Sequence, residues 1–179
     1  MNKILLFFIF MFGGTLLYSQ NIVIDGVIFS ADGKTLIKYP EDKVEKEYIV
    51  PEGVEVIGKN SFMYTKYLNI LTLPLYLKEI DEWAFGYSSI QTINWYTFPE
   101  KIVGEYIFGY DNSKIVTFNV LDNNNSNCIS IDGVLFSKNQ KALLCFPPKK
   151  VNDRLSGRYE VPEGVEIIAK NAFSGAELA

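Results

Sequence analysis

Apolar side chains recur along the middle of the chain in a frame of the form L-x-x-L-x-L. The last three positions of each frame alternate between apolar and other residues, which predicts a short β-strand with one buried face. The frames occupy Leu68, Leu71 and Leu73, then Ile90, Ile93 and Trp95, then Ile115, Phe118 and Val120. Beside them Phe62, Phe85 and Phe108 recur at intervals of 23 residues. A fixed period of this length predicts a repeat architecture.

One unit of this size has too few large apolar side chains to fold alone. The units are therefore expected to stack into a solenoid in which each covers the apolar ridge of its neighbour. The short strands of successive units then pair into a parallel sheet. In the clearest repeat, Leu68 to Phe85, the segment from Pro74 onward turns the chain back and is expected to hold at most a turn or two of helix.

A longer unit occurs twice. VPEGVEVIGKNSF (Val50–Phe62) returns as VPEGVEIIAKNAF (Val161–Phe173), with ten of thirteen positions identical. Ahead of it, IDGVIFSADGKTLIKYP (Ile24–Pro40) returns as IDGVLFSKNQKALLCFP (Ile131–Pro147). Alternating apolar residues on both sides of a turn, such as the one at residues 31–33, predict a β-hairpin at the start of each copy.

Together these residues resemble the BspA-like leucine-rich repeat family of bacterial surface proteins. Its pattern L-x-x-I-x-L-P-x-x-L-x-x-I-x-x-x-A-F is similar to Leu68–Phe85, and its interspersed unit is similar to both copies described above. The resemblance implies a β-rich α/β solenoid, a right-handed leucine-rich-repeat coil with short parallel strands on one face. It also implies interspersed β-hairpins, at about 22–40 and 129–147. Tyr96 stands where the family has proline, and Pro99 comes three residues late, so that repeat is expected to be distorted.

The strand residues that alternate with the buried positions should face solvent, and in solenoids such a face is the usual recognition surface. Trp95 either anchors a partner or fills a buried frame position in place of leucine, and the second interpretation is favoured. Tyr96 occupies an outward position and is the better surface candidate. The candidate binding residues are Thr72, Thr92, Asn94, Tyr96, Thr117 and Asn119, and Ile70, Pro74 and Leu121 are expected on the same face.

The N-terminus has the pattern of an export signal. Lys3 precedes an apolar run from Ile4 to Phe12, and Ser19 is a small residue before a plausible cleavage point. A membrane anchor is the alternative, but this run is shorter than the ~20 residues that a spanning helix needs. Residues 1–19 are therefore predicted to be a secretory signal peptide and residues 20–179 a single solenoid domain that does not insert into a membrane.

Composition limits the classes of binding partner and the kinds of catalytic chemistry that the chain can support. The formal net charge is −4, and becomes −5 without Lys3, so nucleic acid and anionic membrane surfaces are poor candidates. The chain contains no histidine, which excludes Ser-His-Asp and Cys-His catalysis and histidine-ligated zinc. Glu52 and Glu55 could in principle act as a catalytic pair, but the duplication repeats them, and a catalytic pair is more often unique. No enzymatic activity and no cofactor are predicted.

Two further polar features have structural interpretations. Residues 122–127 (DNNNSN) place oxygen-bearing side chains at alternate positions, as a calcium loop does, but lack the glycine and glutamate of such a loop. A polar connector is the favoured interpretation. If residues 129–136 pair with residues 141–146, Cys145 faces about position 132, beyond the reach of Cys128. Two free, buried thiols are therefore expected.

The leading hypothesis is an exported or cell-surface protein that binds other macromolecules. The resemblance implies attachment to host-surface or other extracellular proteins. A carbohydrate-binding module that uses Tyr96, and a structural segment of a larger surface protein, are the alternatives. Because Ala179 comes soon after Phe173, the last coil is expected to expose an apolar ridge. Either the product is truncated or a partner covers this edge.

Overall fold

The computed structural model of the protein describes residues 20–104, 106–109, 113–122, 124–150 and 158–176. Within these ranges the chain forms fourteen strands and no helix, so no helix there is long and apolar enough to cross a membrane. The strands are β1 (Ile22–Ile24), β2 (Val27–Phe29), β3 (Thr35–Lys38), β4 (Glu47–Ile49), β5 (Val56–Ile57), β6 (Ile70–Thr72), β7 (Glu79–Ile80), β8 (Thr92–Trp95), β9 (Lys101–Ile102), β10 (Thr117–Val120), β11 (Cys128–Ile131), β12 (Val134–Ser137), β13 (Ala142–Cys145) and β14 (Ile167–Ile168). The chain alternates between two sides of a coil. One side carries one sheet and the other side carries two, which makes three sheets.

One side of the coil carries an all-parallel sheet in the order β10-β8-β6-β4. Tyr48, Leu71, Ile93 and Phe118 lie opposite one another in successive strands. The last three of these side chains are completely buried, as their frame positions predict. The predicted parallel sheet built from the repeated frames is therefore confirmed.

The other side carries a six-stranded sheet in the order β1-β2-β3-β5-β7-β9 and a four-stranded sheet in the order β11-β12-β13-β14. In the first of these, Leu36, Ile57, Ile80 and Ile102 form one row across four parallel strands. Since each strand here is only two to four residues long, stability depends on stacking the coils rather than on any one strand.

Each copy of the duplicated unit begins with a three-stranded antiparallel meander, β1-β2-β3 or β11-β12-β13. Asp25 and Gly26 join the first two strands with φ of 48° and 81°, and Asp132 and Gly133 do so with 48° and 75°. Positive φ at both turn positions is typical of the type I′ hairpin. The predicted hairpins are confirmed, and each has one strand more than expected.

The larger of two hydrophobic clusters follows the axis of the coil. The Phe62, Phe85 and Phe108 rings stack with centroids 5.8 and 5.9 Å apart, and Phe118 continues the row at 5.5 Å from Phe108. All four rings are fully buried. A smaller cluster under the second meander consists of Val134, Phe136, Leu143, Phe146 and Ala172. The 23-residue period of the phenylalanines thus becomes an aromatic column that ties neighbouring coils together.

The helical component of the sequence prediction is not confirmed. The segment from Pro74 to Phe85 contains β7 and turns. Its Lys78 N–H donates to the Glu55 carbonyl at 2.8 Å, and its Asp81 N–H donates to the Ile57 carbonyl at 2.9 Å. Because these donors bond the adjacent coil, they cannot close a helical turn within the segment. The architecture is a β-solenoid, and the right hand of the coil stays a prediction.

The departure expected around Tyr96 is local. β9 keeps its register with β7, but one extra residue separates Ile102 from Phe108 compared with Ile80 and Phe85. Gly104 absorbs it with φ of 84°, at a point where a Cβ would lie 2.8 Å from the Glu82 side chain. A glycine is required there because of both the positive φ and the close approach.

Candidate functional site

The candidate binding residues lie in rows on the outward face of the β4-β6-β8-β10 sheet. Parallel register places Thr72, Asn94 and Asn119 side by side across three strands. A second row contains Thr92 and Thr117 together with Ile70. The strand alternation and the repeat period therefore bring five of the six candidates together on one face.

Hydrogen bonds join the members of the first row. Asn94 Nδ2 donates to Thr72 Oγ1 at 3.1 Å, and Asn119 Nδ2 donates to Asn94 Oδ1 at 3.0 Å. Both ends of the Asn94 amide are thus engaged within the sheet, whereas the carbonyl end of Asn119 lies at the end of the row. We call Thr72, Asn94 and Asn119 the polar ladder. These hydrogen bonds restrict the rotamers of the ladder side chains.

Exposure differs along the face. Asn119 is exposed, and the other five candidate residues are half-buried. Leu121 is also exposed, at 48%.

The prediction that Pro74 faces solvent is wrong, because Pro74 is buried. β6 ends at Thr72, so the period-two alternation of a strand no longer applies two residues later.

Tyr96, the sixth candidate, follows β8 directly and is half-buried. Its neighbour Trp95 is completely buried, stacks on Phe98 with ring centroids 5.6 Å apart, and meets Phe118 edge-on at 6.0 Å. The interpretation of Trp95 as a core residue is confirmed. Tyr96 therefore remains the aromatic candidate at the border of the outward face.

A second aromatic group lies at the corner of the coil and was missed by the sequence reasoning. Tyr64 and Tyr87 stack at 5.2 Å, Tyr87 and Trp83 are parallel at 5.9 Å, and Trp83 and Tyr106 are tilted at 5.6 Å. The recurring F-x-Y spacing was the available signal. Because the rings pack on each other from coil to coil, they act first as a lateral extension of the core.

Three of these aromatic residues adopt left-handed backbone conformations. The φ angles are 64° at Tyr64, 60° at Trp83 and 53° at Tyr87. At the position of Trp83 the duplicated unit has Asn60 and Asn171, which also have positive φ and belong to a residue type that tolerates it. The corner geometry is therefore a property of the repeat, and the stacked rings offset the strain at Trp83.

In the part of the chain that the structure describes, no group of three or more histidine, cysteine, aspartate or glutamate side chains could hold a metal ion. Asp122 accepts hydrogen bonds from the Asn124 and Asn125 backbone and from Asn125 Nδ2 at 2.7 Å, and these bonds lower its pKa. Its carboxylate thus closes a turn after β10, as the polar-connector interpretation requires.

Both cysteines are free and buried, as predicted, although the register differs from the expected one. Cys128 lies opposite Ser137, and Cys145 lies opposite Leu135 across a bulge. The two thiols therefore flank β12 on opposite sides. Burial is the main cause that raises the pKa of each, and it suppresses the reactive thiolate form.

Comparison with known proteins supports the repeat assignment. A model of the BspA type leucine rich repeat region matches residues 42–150 in six copies. A leucine rich cell surface protein from Faecalibacterium prausnitzii A2-165 is similar in structure, with 26% identity and a TM-score of 0.50 over 75% of this chain. A leucine-rich repeat protein from Eubacterium ventriosum shares the fold, with 15% identity and a TM-score of 0.50 over 88% of this chain.

The chain spans 34% and 50% of the length of these two structures. No curated protein matches it. The matched repeats cover more than half of the sequence, and they coincide with the coils whose register and aromatic column are described above. The chain belongs to the BspA-type leucine-rich repeat family.

Proposed function

We propose that this protein is an exported leucine-rich repeat protein, secreted or held at the cell surface, that binds extracellular proteins without catalysis. The outward face of the β4-β6-β8-β10 sheet carries the proposal. There the polar ladder, Thr92, Thr117 and Tyr96 form a regular surface on a rigid scaffold. Membership in the family and the similarity to a protein described as a cell surface protein support this role.

Export depends on residues 1–19, which lie outside the described residues. We propose that they act as a cleaved signal peptide, on the sequence pattern given above. N-terminal sequencing of the protein recovered from the culture medium or the cell surface tests this step. An intact Met1 on the exported protein would contradict it.

The binding face is tested with the purified chain on immobilised extracellular-matrix proteins. Saturable binding is expected, with a loss on Asn94→Ala combined with Tyr96→Ala, since these changes break the ladder and remove the bordering ring. Tyr67→Ala is the matched control, because Tyr67 is 49% exposed and lies outside the strands of this face.

Other outcomes distinguish the alternatives. Competition by soluble glycans would favour a carbohydrate-binding module, and binding to neither class would favour a structural segment. Equal loss of binding in the double variant and in Tyr67→Ala would contradict the assignment of the face. Circular dichroism of each variant verifies that the coil is intact.

A further inference from the structure

Two tyrosines of the aromatic corner lie side by side in neighbouring coils. Tyr64 follows the core residue Phe62 by two positions, and Tyr87 follows Phe85 in the same way. Their ring centroids are 5.2 Å apart, and the ring planes differ by 29°. Tyr64 is 49% exposed, and Tyr87 is half-buried. The two phenol rings therefore stack at the surface of the coil rather than in its core.

Backbone and side-chain contacts hold this pair in place. The Tyr64 N–H donates to the Gly86 carbonyl at 3.3 Å, which ties the two corner turns together. Trp83 lies parallel to Tyr87, with ring centroids 5.9 Å apart and an interplanar angle of 5°. A Cβ on Gly86 would lie 2.9 Å from Trp83 Cε3, so glycine permits this packing. Tyr87 thus contacts both Trp83 and Tyr64, which restricts the position of its ring.

The backbone at both tyrosines has a conformation that this residue type rarely adopts. The φ angle is 64° at Tyr64 and 53° at Tyr87. In the second copy of the duplicated unit, Gly175 occupies the position of Tyr64 and has φ of 74°, which glycine tolerates. The turn itself therefore does not require tyrosine. Strained residues cluster at functional sites, and here the strained residues are the ones that form the ring pair.

The other described tyrosines lack this combination of stacking and solvent access. Tyr39 and Tyr48 have ring centroids 4.9 Å apart, but they meet edge-on at 61°, and Tyr39 is completely buried. Tyr67 is as exposed as Tyr64, at 49%, yet it belongs to no ring pair in the described part of the chain. Within the described ranges, Tyr64 and Tyr87 are therefore the one stacked pair of phenols that solvent reaches.

We propose that Tyr64 and Tyr87 form an oxidative crosslinking site, at which a haem peroxidase with hydrogen peroxide joins the two rings into a dityrosine. Each phenol gives up one electron and the proton of its O–H group, which leaves a radical shared between the oxygen and the adjacent ring carbons. A carbon–carbon bond then forms between a Cε atom of each ring. The hydrogen on each of these carbons moves to the phenol oxygen, which restores both aromatic rings. Hydrogen peroxide accepts the two electrons and the two protons and becomes two molecules of water.

The fold favours coupling within one molecule over coupling between molecules. Holding two reacting groups together makes their reaction effectively unimolecular, and Tyr64 and Tyr87 are held ring against ring. A radical on Tyr67 has no stacked partner among the described residues, although its ring is equally exposed. The link between residues 64 and 87 is therefore expected to be the main product in dilute solution.

The crosslink connects two neighbouring coils covalently. Both cysteines are free, so no disulfide restrains the described coils. A bond between residues 64 and 87 restricts the unfolded chain, which stabilises the folded state as other loop-closing bonds do. The site lies at the corner of the coil and not on the outward face of the β4-β6-β8-β10 sheet, so either proposal can fail without the other.

The test treats the purified full chain, in dilute solution, with a haem peroxidase and hydrogen peroxide. Monomers are then separated on a denaturing gel, and their dityrosine fluorescence and their linked peptides are measured. The expected product is a monomer that carries a link between Tyr64 and Tyr87 and has lost two hydrogen atoms in mass. Absence of dityrosine from the monomer, or a link between other tyrosines in its place, would overturn the proposal.

Phenylalanine substitutions are the matched variants, because they keep the ring and its stacking and remove only the hydroxyl. Tyr64→Phe and Tyr87→Phe should each abolish the dityrosine signal of the monomer. Tyr67→Phe, at an equally exposed ring, should leave that signal unchanged, and so should Tyr39→Phe at the buried pair. An equal loss of signal in Tyr67→Phe would show that exposure alone directs the coupling, and the proposal would then be wrong.

Unfolding provides two further measurements. When the same treatment is carried out in urea, the links should be spread over other tyrosines, because the stacked geometry is lost. After treatment of the folded protein, the original chain should melt at a higher temperature than before, whereas the melting temperature of Tyr64→Phe should stay the same. An identical pattern of links in the folded and the unfolded chain would show that the fold does not direct the coupling, and would reject the site.

Discussion

A few residues of this core carry polar atoms that have no hydrogen-bond partner among the described residues. Tyr39 is completely buried, with its ring 4.9 Å from Tyr48 and 5.4 Å from Phe62, yet its hydroxyl makes no hydrogen bond. Burial, with a smaller contribution from Glu45, raises the pKa of Tyr39 to about 12. The ring is needed for the aromatic column, and the hydroxyl opposes its burial.

Removing that hydroxyl should stabilise the protein. Tyr39→Phe is expected to raise the free energy of unfolding by about 1 kcal/mol at neutral pH, because it eliminates an unsatisfied buried group. In the original chain the folded pKa lies above the ordinary value of 10.0. Stability is therefore lost as pH rises from there towards the raised value, and the variant should lose less.

Urea unfolding at pH 8 and at pH 11 measures both effects. Tyr67→Phe, at a half-exposed ring, is the control and should match the original chain at both values. A Tyr39→Phe variant less stable than the original at pH 8 would show that the hydroxyl has a partner.

At the scale of elements, the second meander is fastened to the last strand of the parallel sheet. The Phe118 N–H donates to the Gly133 carbonyl at 2.9 Å, and Ser130 Oγ donates to the Phe118 carbonyl at 2.6 Å. A Cβ on Gly133 would lie 2.5 Å from Thr117 Oγ1. The Asp-Gly turn thus serves both to close a hairpin and to let it approach β10.

Substitutions at Gly33 and Gly133 distinguish the cost of a positive φ from the cost of a steric clash. Gly33 has φ of 73° and open space within 4 Å of the point where a Cβ would lie, whereas Gly133 has φ of 75° and a close neighbour. Gly33→Ala should cost about 1 kcal/mol of backbone strain. Gly133→Ala should cost about 1–3 kcal/mol more because of the clash. Thr117→Ala in the Gly133→Ala background should restore much of the difference, measured by thermal unfolding. Equal costs at both glycines would contradict the close docking.

Ion pairs also connect elements along the outside of the coil. Glu55 lies between Lys78 at 2.7 Å and Lys34 at 3.0 Å, and its hydrogen bonds to these lysines lower its pKa. Its contribution to stability is therefore present above the ordinary pKa of glutamate and is lost as pH falls through the lowered value.

The substitution Glu55→Gln should accordingly reduce the melting temperature at pH 7 and have little effect in strong acid. One molar salt should shrink the difference at pH 7, because these groups are accessible to solvent. Glu100→Gln is the control. A difference that is as large in acid as at pH 7 would point to packing rather than charge.

At the scale of the whole molecule, no crosslink holds the described coils together. Cys128 and Cys145 are almost fully buried on strands that β12 separates. Cohesion comes from the continuous core and from the hydrogen bonds between coils, so the coils depend on their neighbours. In such a stack the loss of one coil exposes the ridge of the next.

The thiols can report on this dependence. In the folded protein neither cysteine should react with Ellman's reagent, and both should react after unfolding in urea, because burial keeps them protonated and inaccessible. Dithiothreitol should leave the melting temperature unchanged. Rapid reaction of one thiol in the native protein would show that its coil opens independently of the rest.

The candidate face was predicted in part. Alternation within each frame identified the outward residues, and the recurrence of the frame identified which of them are neighbours, so the row through Thr72, Asn94 and Asn119 follows from the sequence. The bonds within the ladder do not, because they depend on side-chain positions across strands. Pro74 was misplaced since alternation ends with the strand. The aromatic corner around Trp83 was missed, although the F-x-Y spacing recurs there, since the contacts between its rings depend on how turns of neighbouring coils stack.

The sequence by itself determined the repeat, the stacking and the identity of the buried ridge, because the spacing of apolar side chains dictates which of them can share one core. Tertiary structure alone decided the rest. The absence of helix in the described coils follows from backbone hydrogen bonds that run between coils. The different exposure of Ile57 and Ile168, in almost identical segments, follows from what lies next to each. Local sequence specifies the shape of a strand, but only its neighbours determine how far its side chains are buried.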